Sequence, residues 1–239
     1  MKEAIITTNK QYRSAFVAGT VVSAARDGAA KYAITLKVPG RAADLNIYFW
    51  NEKLREGDDP GKKLIARADR AEKMKVRAGS NIIVSVNFDE NDENKAYGRS
   101  IRYYDAYFGT KEGSRNYVFG ILRNVEAKTI KDKEGNDVPI VDGSVFYGKD
   151  KDGKGRFIDV CFYGKESTDA AGKALPLDAF PEGGLIVFMP VGNVRKFTWE
   201  DPNSLEEKTR LSTFAFDACV IGEPASKKGA AVETAEDPE

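Results

Sequence analysis

Two stretches of about 100 residues follow one another in this chain with the same order of apolar runs and a similar closing phrase. The first opens on Val17-Ala18-Gly19-Thr20-Val21, reaches the aromatic run Leu45-Asn46-Ile47-Tyr48-Phe49-Trp50 and closes on Asp105-Ala106-Tyr107-Phe108-Gly109. The second opens on Val118-Phe119-Gly120-Ile121-Leu122, passes through Phe157-Ile158-Asp159-Val160-Cys161-Phe162-Tyr163 and closes on Asp217-Ala218-Cys219-Val220-Ile221-Gly222. Position 17 thus corresponds to 118, and 105 to 217. So long a period belongs to a small domain and not to a solenoid unit. At 239 residues the chain can bury a core in each half. Repeated domains point to repeated binding surface, because one longer ligand can then be held at two linked sites.

Strand signals dominate both halves. Residues 16–23, 32–38, 45–50, 81–88 and 99–108 are rich in Val, Ile, Thr and aromatics, and Gly, Pro, Asn or Asp bound most of them. A helix is predicted over 61–76, where Leu64, Ala68, Ala71 and Met74 recur at helical spacing. The second half repeats the order with longer hairpins, tipped by residues 132–137 and 149–155. Only a short helix is expected within 167–180, and the fourth and fifth strands are expected at 184–194 and 211–221. The chain divides into an N-terminal segment 1–13, a domain 14–109, a linker 110–116, a domain 117–222 and an acidic, disordered tail 223–239. The fold class is all-β, mainly strand with short helices.

Five strands per unit with a helix between the third and fourth is the order of the oligonucleotide/oligosaccharide-binding (OB) barrel, so tandem five-stranded OB-fold barrels are predicted. With that order, Gly19-Thr20-Val21 in the first strand and Phe162-Tyr163-Gly164-Lys165-Glu166 at the end of a third strand, the chain resembles single-stranded DNA-binding proteins with two OB domains, of phage or mobile-element type. The resemblance spans residues 14–222 and extends to the acidic tail. It implies single-stranded DNA as partner, with replication or recombination proteins met through the tail. Here the tail ends Glu236-Asp237-Pro238-Glu239, without the apolar tip that follows the acidic residues in the bacterial family.

Single strands are held by stacking bases on rings while cations follow the backbone. The sequence interleaves the two in Tyr97-Gly98-Arg99-Ser100-Ile101-Arg102-Tyr103-Tyr104, and Arg195-Lys196-Phe197-Thr198-Trp199 is taken as the corresponding region of the second half. Candidate stacking residues are Tyr32, Tyr48, Trp50, Tyr97, Tyr147 and Trp199; candidate phosphate contacts are Arg99, Arg102, Lys149, Lys154, Arg156, Arg195 and Lys196. Each has an ordinary counterpart: a ring packs in a core as readily as it stacks a base, and a surface cation is commonly just solvated. In a period-2 strand Tyr48 and Trp50 share one face and Phe49 takes the other, but so apolar a run leaves open which face is inside.

The chain has no histidine, which removes Ser-His-Asp and Cys-His catalysis and histidine-ligated zinc. Residues 148–155 match G-x-x-x-x-G-K, but Gly155 stands where a phosphate-binding loop needs Ser or Thr, and a strand follows where a helix should. The acidic cluster Asp89, Glu90, Asp92 and Glu93 lies in one turn and reads as a solvated hairpin tip. No enzymatic activity, metal or cofactor is expected. Cys161 and Cys219 read as buried thiols of a reducing compartment. No apolar stretch approaches the roughly 20 residues needed to cross a bilayer, and no signal peptide is visible, so a soluble cytoplasmic protein without membrane contact is expected. Lys plus Arg equal Asp plus Glu at 37 each. The tail carries Glu223, Glu233, Glu236, Asp237 and Glu239 against Lys227 and Lys228, a net of minus three that leaves the folded part at plus three. The expected function is sequence-tolerant binding of single-stranded DNA in replication, recombination or repair. The alternative is an OB-fold protein-interaction or structural module, viral or replisomal, which neutral charge suits better. Two barrels per chain are compatible with a homodimer equivalent to four barrels.

Overall fold

The computed structural model describes residues 3–54, 56–59, 61–107, 116–200, 202 and 207–224. The first half runs β1 (Ile5–Asn9), β2 (Ser14–Asp27), β3 (Lys31–Lys37), β4 (Leu45–Trp50), α1 (Arg67–Lys73), β5 (Asn81–Phe88) and β6 (Lys95–Arg102). Alternation of side chains is clean: Tyr32, Ile34 and Leu36 of β3 and Leu45, Ile47 and Phe49 of β4 are buried, which turns Tyr48 and Trp50 outward. The strands close into a five-stranded barrel, β2–β3–β4–β6–β5 and back to β2. Only β4 and β6 are parallel. The N-terminal segment adds β1 to the barrel as an extra strand along β2.

Closure depends on β2 serving two neighbours. It pairs β5 through residues 14–20 and β3 through residues 20–27, so it must bend where the partners change. Gly19 sits there, and a Cβ on it would lie 2.4 Å from the Lys37 carbonyl oxygen. A bulge follows, and the extra residue, Val22, is left exposed. The helix is shorter than the expected 61–76. It begins at Arg67 because the Asn51 side-chain oxygen accepts from the Ala68 and Asp69 amides at 2.9 and 3.3 Å, while Leu64 remains exposed ahead of it. Ala68 and Ala71 are its buried face, and Arg26 of β2 ties it down through Asp69 and Glu72.

After β7 (Asp105–Tyr107), the second half runs β8 (Asn116–Lys131), β9 (Asp137–Lys149), β10 (Gly155–Tyr163), α2 (Gly164–Ala174), a 3-10 turn (Leu177–Ala179), β11 (Leu185–Val191), β12 (Arg195–Glu200), β13 (Glu207–Phe214) and β14 (Cys219–Gly222). The same bend recurs: β8 pairs β11 through residues 116–122 and β9 through 121–131, and Gly120, two residues after the position matched to Val17, comes just before the overlap. A Cβ on Gly120 would come 2.1 Å from the Phe146 carbonyl oxygen. β10 and β13 are parallel, as β4 and β6 are.

Among the described residues the second half does not form the closed barrel expected from the sequence. The strands make an open sheet in the order β12–β13–β10–β9–β8–β11–β14. The expected strand 184–194 stops at Val191, and residues 192–194 swing β12 outward onto β13, leaving a single bridge, Val191 to Ala215, between the two arms. The expected strand 211–221 is likewise two pieces. α2 also differs from expectation, starting at Gly164 and running through Gly172, with Pro176 and Pro181 beyond its end.

The matched closing phrases play different parts. β7 crosses from the first half to pair β8, whereas β14 pairs β11 and packs against β2. One apolar core therefore spans both halves, with Tyr117, Phe119, Ile186 and Phe188 joining Val17, Ile83 and their neighbours. The Phe16 and Tyr117 rings are 4.8 Å apart, and the Tyr117 hydroxyl donates to Asp105 at 3.1 Å. Apart from Asn116, the linker expected at 110–116 lies outside the described residues, as does the tail beyond Pro224.

Two outcomes follow for stability. Gly19→Ala and Gly120→Ala should each lower urea stability by about 1–3 kcal/mol through overlap with the neighbouring carbonyl. Gly172→Ala, in a helix with nothing within 4 Å, should raise it by about 0.5–1 kcal/mol. Because the core is shared, urea transitions followed at Trp50 in Trp199→Phe and at Trp199 in Trp50→Phe should coincide; separated midpoints would mean independent halves.

Candidate functional site

The outward faces of β3, β4 and β6 assemble a layer of exposed rings and lysines. Parallel register sets Tyr48 beside Tyr97, and antiparallel register sets Lys31 opposite Trp50. Trp50 is 47% exposed. The Lys31 ammonium lies 5.2 Å from the Tyr48 ring centre and 5.4 Å from that of Trp50, and Lys95 lies 5.4 Å from Tyr97. Gly98 makes room for this layer: a Cβ there would stand 2.3 Å from the Phe49 ring beneath. Arg99 is the extra residue of a bulge opposite Ser85 and Val86, which throws it out between two shallow clefts. One, of about 220 Å³, is lined by Tyr48, Trp50, Arg67 and Tyr97; the other, of about 300 Å³, by Asn9, Tyr12 and Asn87.

Tyr97 is also held by its hydroxyl, which donates to Asp89 at 2.6 Å. That bond, the Asn91 backbone N–H and the nearby Lys95 ammonium keep the Asp89 carboxyl at about 2 against an ordinary 3.8. The expected acidic turn is thus partly committed to orienting a ring.

Two residues proposed from the sequence stand elsewhere. Tyr32, 5% exposed, faces the barrel interior with Ile34 and Leu36, and burial raises its pKa. Arg102 points outward beyond the bulge, opposite Ile83, but its guanidinium donates to Asp105 at 2.5 Å beside the Tyr117 hydroxyl; it braces the seam between halves and lines neither cleft.

In the second half a cleft of about 890 Å³ opens over the same region of the sheet. Its floor is formed by Asp142 and Ser144 of β9, Asp159 and Cys161 of β10, and Ser212 and Phe214 of β13. The β8 arm supplies Glu126 and Lys128 as one wall, and Arg195, Phe197 and Trp199 of β12 form the other. Lys128 pairs with Asp142 at 3.0 Å and Glu126 at 3.3 Å, and Arg210 pairs with Asp159. Arg195 has no carboxylate partner among the described residues and lies 5.8 Å from the Phe214 ring centre. Burial, reinforced by Asp142, pushes the Cys161 thiol up to about 12, so it stays protonated at neutral pH.

Register identifies equivalent positions. The buried rows Leu45, Ile47, Phe49 and Ile158, Val160, Phe162 superpose in order, so Trp50 corresponds to Tyr163 and Tyr48 to Cys161. The parallel pairs Tyr48–Tyr97 and Cys161–Phe214 then match Tyr97 to Phe214. Tyr163 and Phe214 are both exposed, with ring centres 5.9 Å apart. The expected match of 195–199 to 97–104 is therefore corrected: β13 is the counterpart of β6, and β12 is its hairpin partner, bent away from β11. Tyr163, Phe214, Phe197, Lys128 and Arg210 were not among the candidate contacts read from the sequence, although Phe197 and Tyr163 lie in runs noted there. The alternation in Thr213-Phe214-Ala215-Phe216, with Thr213 and Ala215 buried, was the available signal for Phe214.

The remaining candidates divide. Arg195 and Trp199 line the cleft, while Lys196 is on the opposite face of β12. Tyr147 is 6% exposed and points into the core with Val145; Arg156 covers its ring at 4.5 Å. Lys149 and Lys154 are exposed at the β9–β10 turn, away from the cleft lining, and Asp150 closes that turn by accepting from the Asp152 and Lys154 amides. Among the described residues no three acidic, cysteine or histidine side chains cluster to hold a metal, and no helix is long and apolar enough to cross a membrane.

Compared with known proteins, the chain matches no family model and no curated protein.

Asp89 gives a pH test. Its pKa is lower in the folded chain than the ordinary value, so its contribution is present above about 4 and is lost as pH falls toward 2. Asp89→Asn should flatten the dependence of urea midpoint on pH across that window; an unchanged slope would show that Asp89 does not carry it.

Proposed function

We propose that the chain is a sequence-tolerant single-stranded DNA-binding protein built from two OB-type units, one closed and one opened by a displaced β12. The observation that carries this is the repeated placement of exposed rings at matched positions, Trp50 with Tyr97 and Tyr163 with Phe214, each pair beside a basic side chain. Rings offer every base a stacking partner, which makes recognition tolerant of sequence. Strand order supports the OB assignment: the first barrel closes with its third and fifth principal strands parallel and a helix between the third and fourth. Protection or organisation of single strands in replication, recombination or repair is the role such binding would serve.

Many cations on these faces are already paired. Arg99 and Arg195 have no carboxylate partner among the described residues, whereas Lys31, Arg67, Lys95, Lys128 and Arg210 do. Stacking therefore supplies a large share of affinity, and the dependence on salt is shallow, with a slope near −2 in log affinity against log salt for about two to three neutralised phosphates. The balance of Lys128, Arg195 and Arg210 against Glu126, Asp142 and Asp159 in the large cleft supports the second reading, a protein-interaction module.

Titration with a 30- to 40-nucleotide oligo-dT (about that length, several OB footprints) at two salt concentrations, read by tryptophan fluorescence with matched duplex and RNA controls, separates the two. Quenching confined to the single strand, with Trp50→Ala and Phe214→Ala each losing about 1–3 kcal/mol, is the expected result. No binding at low salt overturns the DNA reading in favour of the protein-interaction one.

A further inference from the structure

We propose that the outer edge of β12 is a self-recognition surface through which two copies of this chain pair. β12 ends the sheet, bonded to β13 on one side, and all six of its residues are exposed. The other end of the sheet, β14, is covered by its packing against β2. An open edge of this kind presents a row of backbone donors and acceptors that a second strand can take up.

The side chains along β12 select which strand. Lys196-Phe197-Thr198-Trp199-Glu200 is complementary to itself when reversed. Setting Thr198 opposite the Thr198 of a second copy, across a two-fold axis normal to the sheet, places Lys196 opposite Glu200 and Phe197 opposite Trp199. Directly opposed residues of an antiparallel pair lie on one face, and these do: Phe197 and Trp199 face the cleft, Lys196 and Glu200 the other side. Opposite charges and aromatic pairs are the cross-strand combinations that stabilise a ladder. A slide of two residues sets Lys196 against Thr198, or Glu200 against Thr198, and keeps a ring pair but loses both Lys–Glu pairs, so the charges favour one register. The exposed charges that guard this edge against other strands are the same ones that match it to itself. Pairing also brings the Phe197 and Trp199 rings of both copies together on the cleft face, joining the two clefts along one continuous sheet.

The test is a charge swap on the full chain, followed by sedimentation equilibrium from about 1 to 200 µM. The wild type should show a monomer–dimer equilibrium in that range, and Lys196→Glu or Glu200→Lys alone should weaken it about tenfold, since each change sets like charges opposite one another twice per dimer. An equimolar mixture of the two variants should recover dimer, because each then meets its opposite; this also shows that both variants fold. A wild type that stays monomeric, single variants that dimerise as before, or a mixture that fails to recover would each overturn the proposal. Fluorescence binding plays no part in the readout, so the result stands whatever the chain binds.

Discussion

A single steric demand shapes both halves of this protein: the first long strand of each must lie against two different neighbours, and it can turn from one to the other only where a side chain is missing. At Gly19 the space a Cβ would need is taken by the Lys37 carbonyl, and at Gly120 by that of Phe146. In the first half this turn lets β2 reach β3 and β5 together, which closes the barrel and forces β4 and β6 side by side in parallel. The ring layer of Tyr48, Trp50 and Tyr97 is a product of that juxtaposition, since no two strands adjacent in the chain could bring Tyr48 next to Tyr97. In the second half the same turn brings β8 to β9 and β11, and β10 and β13 repeat the parallel pair under a wider cleft.

The halves differ in how the hairpin after the helix is used. β5 stays continuous and pairs both β2 and β6, so the barrel shuts. The corresponding segment breaks after Val191, and its outer part, β12, is free to line a cleft on one face and offer an edge on the other. Departure from the first half's geometry is thus the source of both the larger cleft and the proposed self-pairing surface. The seam compensates for the open sheet. β7 donates its ladder to β8, Tyr117 is buried between Phe16 and Phe188, and Asp105, itself held by Arg102, satisfies the Tyr117 hydroxyl that burial would otherwise strand.

Electrostatics on the candidate faces are restrained. Lys128 and Arg210 hold carboxylates within the cleft itself, and Lys31 and Lys95 lie over rings while paired to Asp27 and Asp89. On the proposed reading such a surface would gain from stacking and from exchange of ion pairs more than from bulk positive charge, in keeping with equal numbers of acidic and basic residues along the chain.

Much of the architecture was legible in the residues. Apolar runs of period two located most strands, the match of 17 to 118 placed Gly19 and Gly120 at equivalent bends, and Tyr48, Trp50, Tyr97, Arg99, Arg195 and Trp199 were singled out and do stand on the two faces. Local pattern carries that information because alternation and turn chemistry act over a few residues. What lay beyond it were decisions made between distant segments. The inward turn of Tyr32 and Tyr147, the capture of Arg102 by Asp105, the match of Phe214 to Tyr97 and the open second sheet each depend on which strand lies alongside which. A ring or a guanidinium carries the same local signal whether it faces solvent or a neighbour, so only the packed structure settles its place.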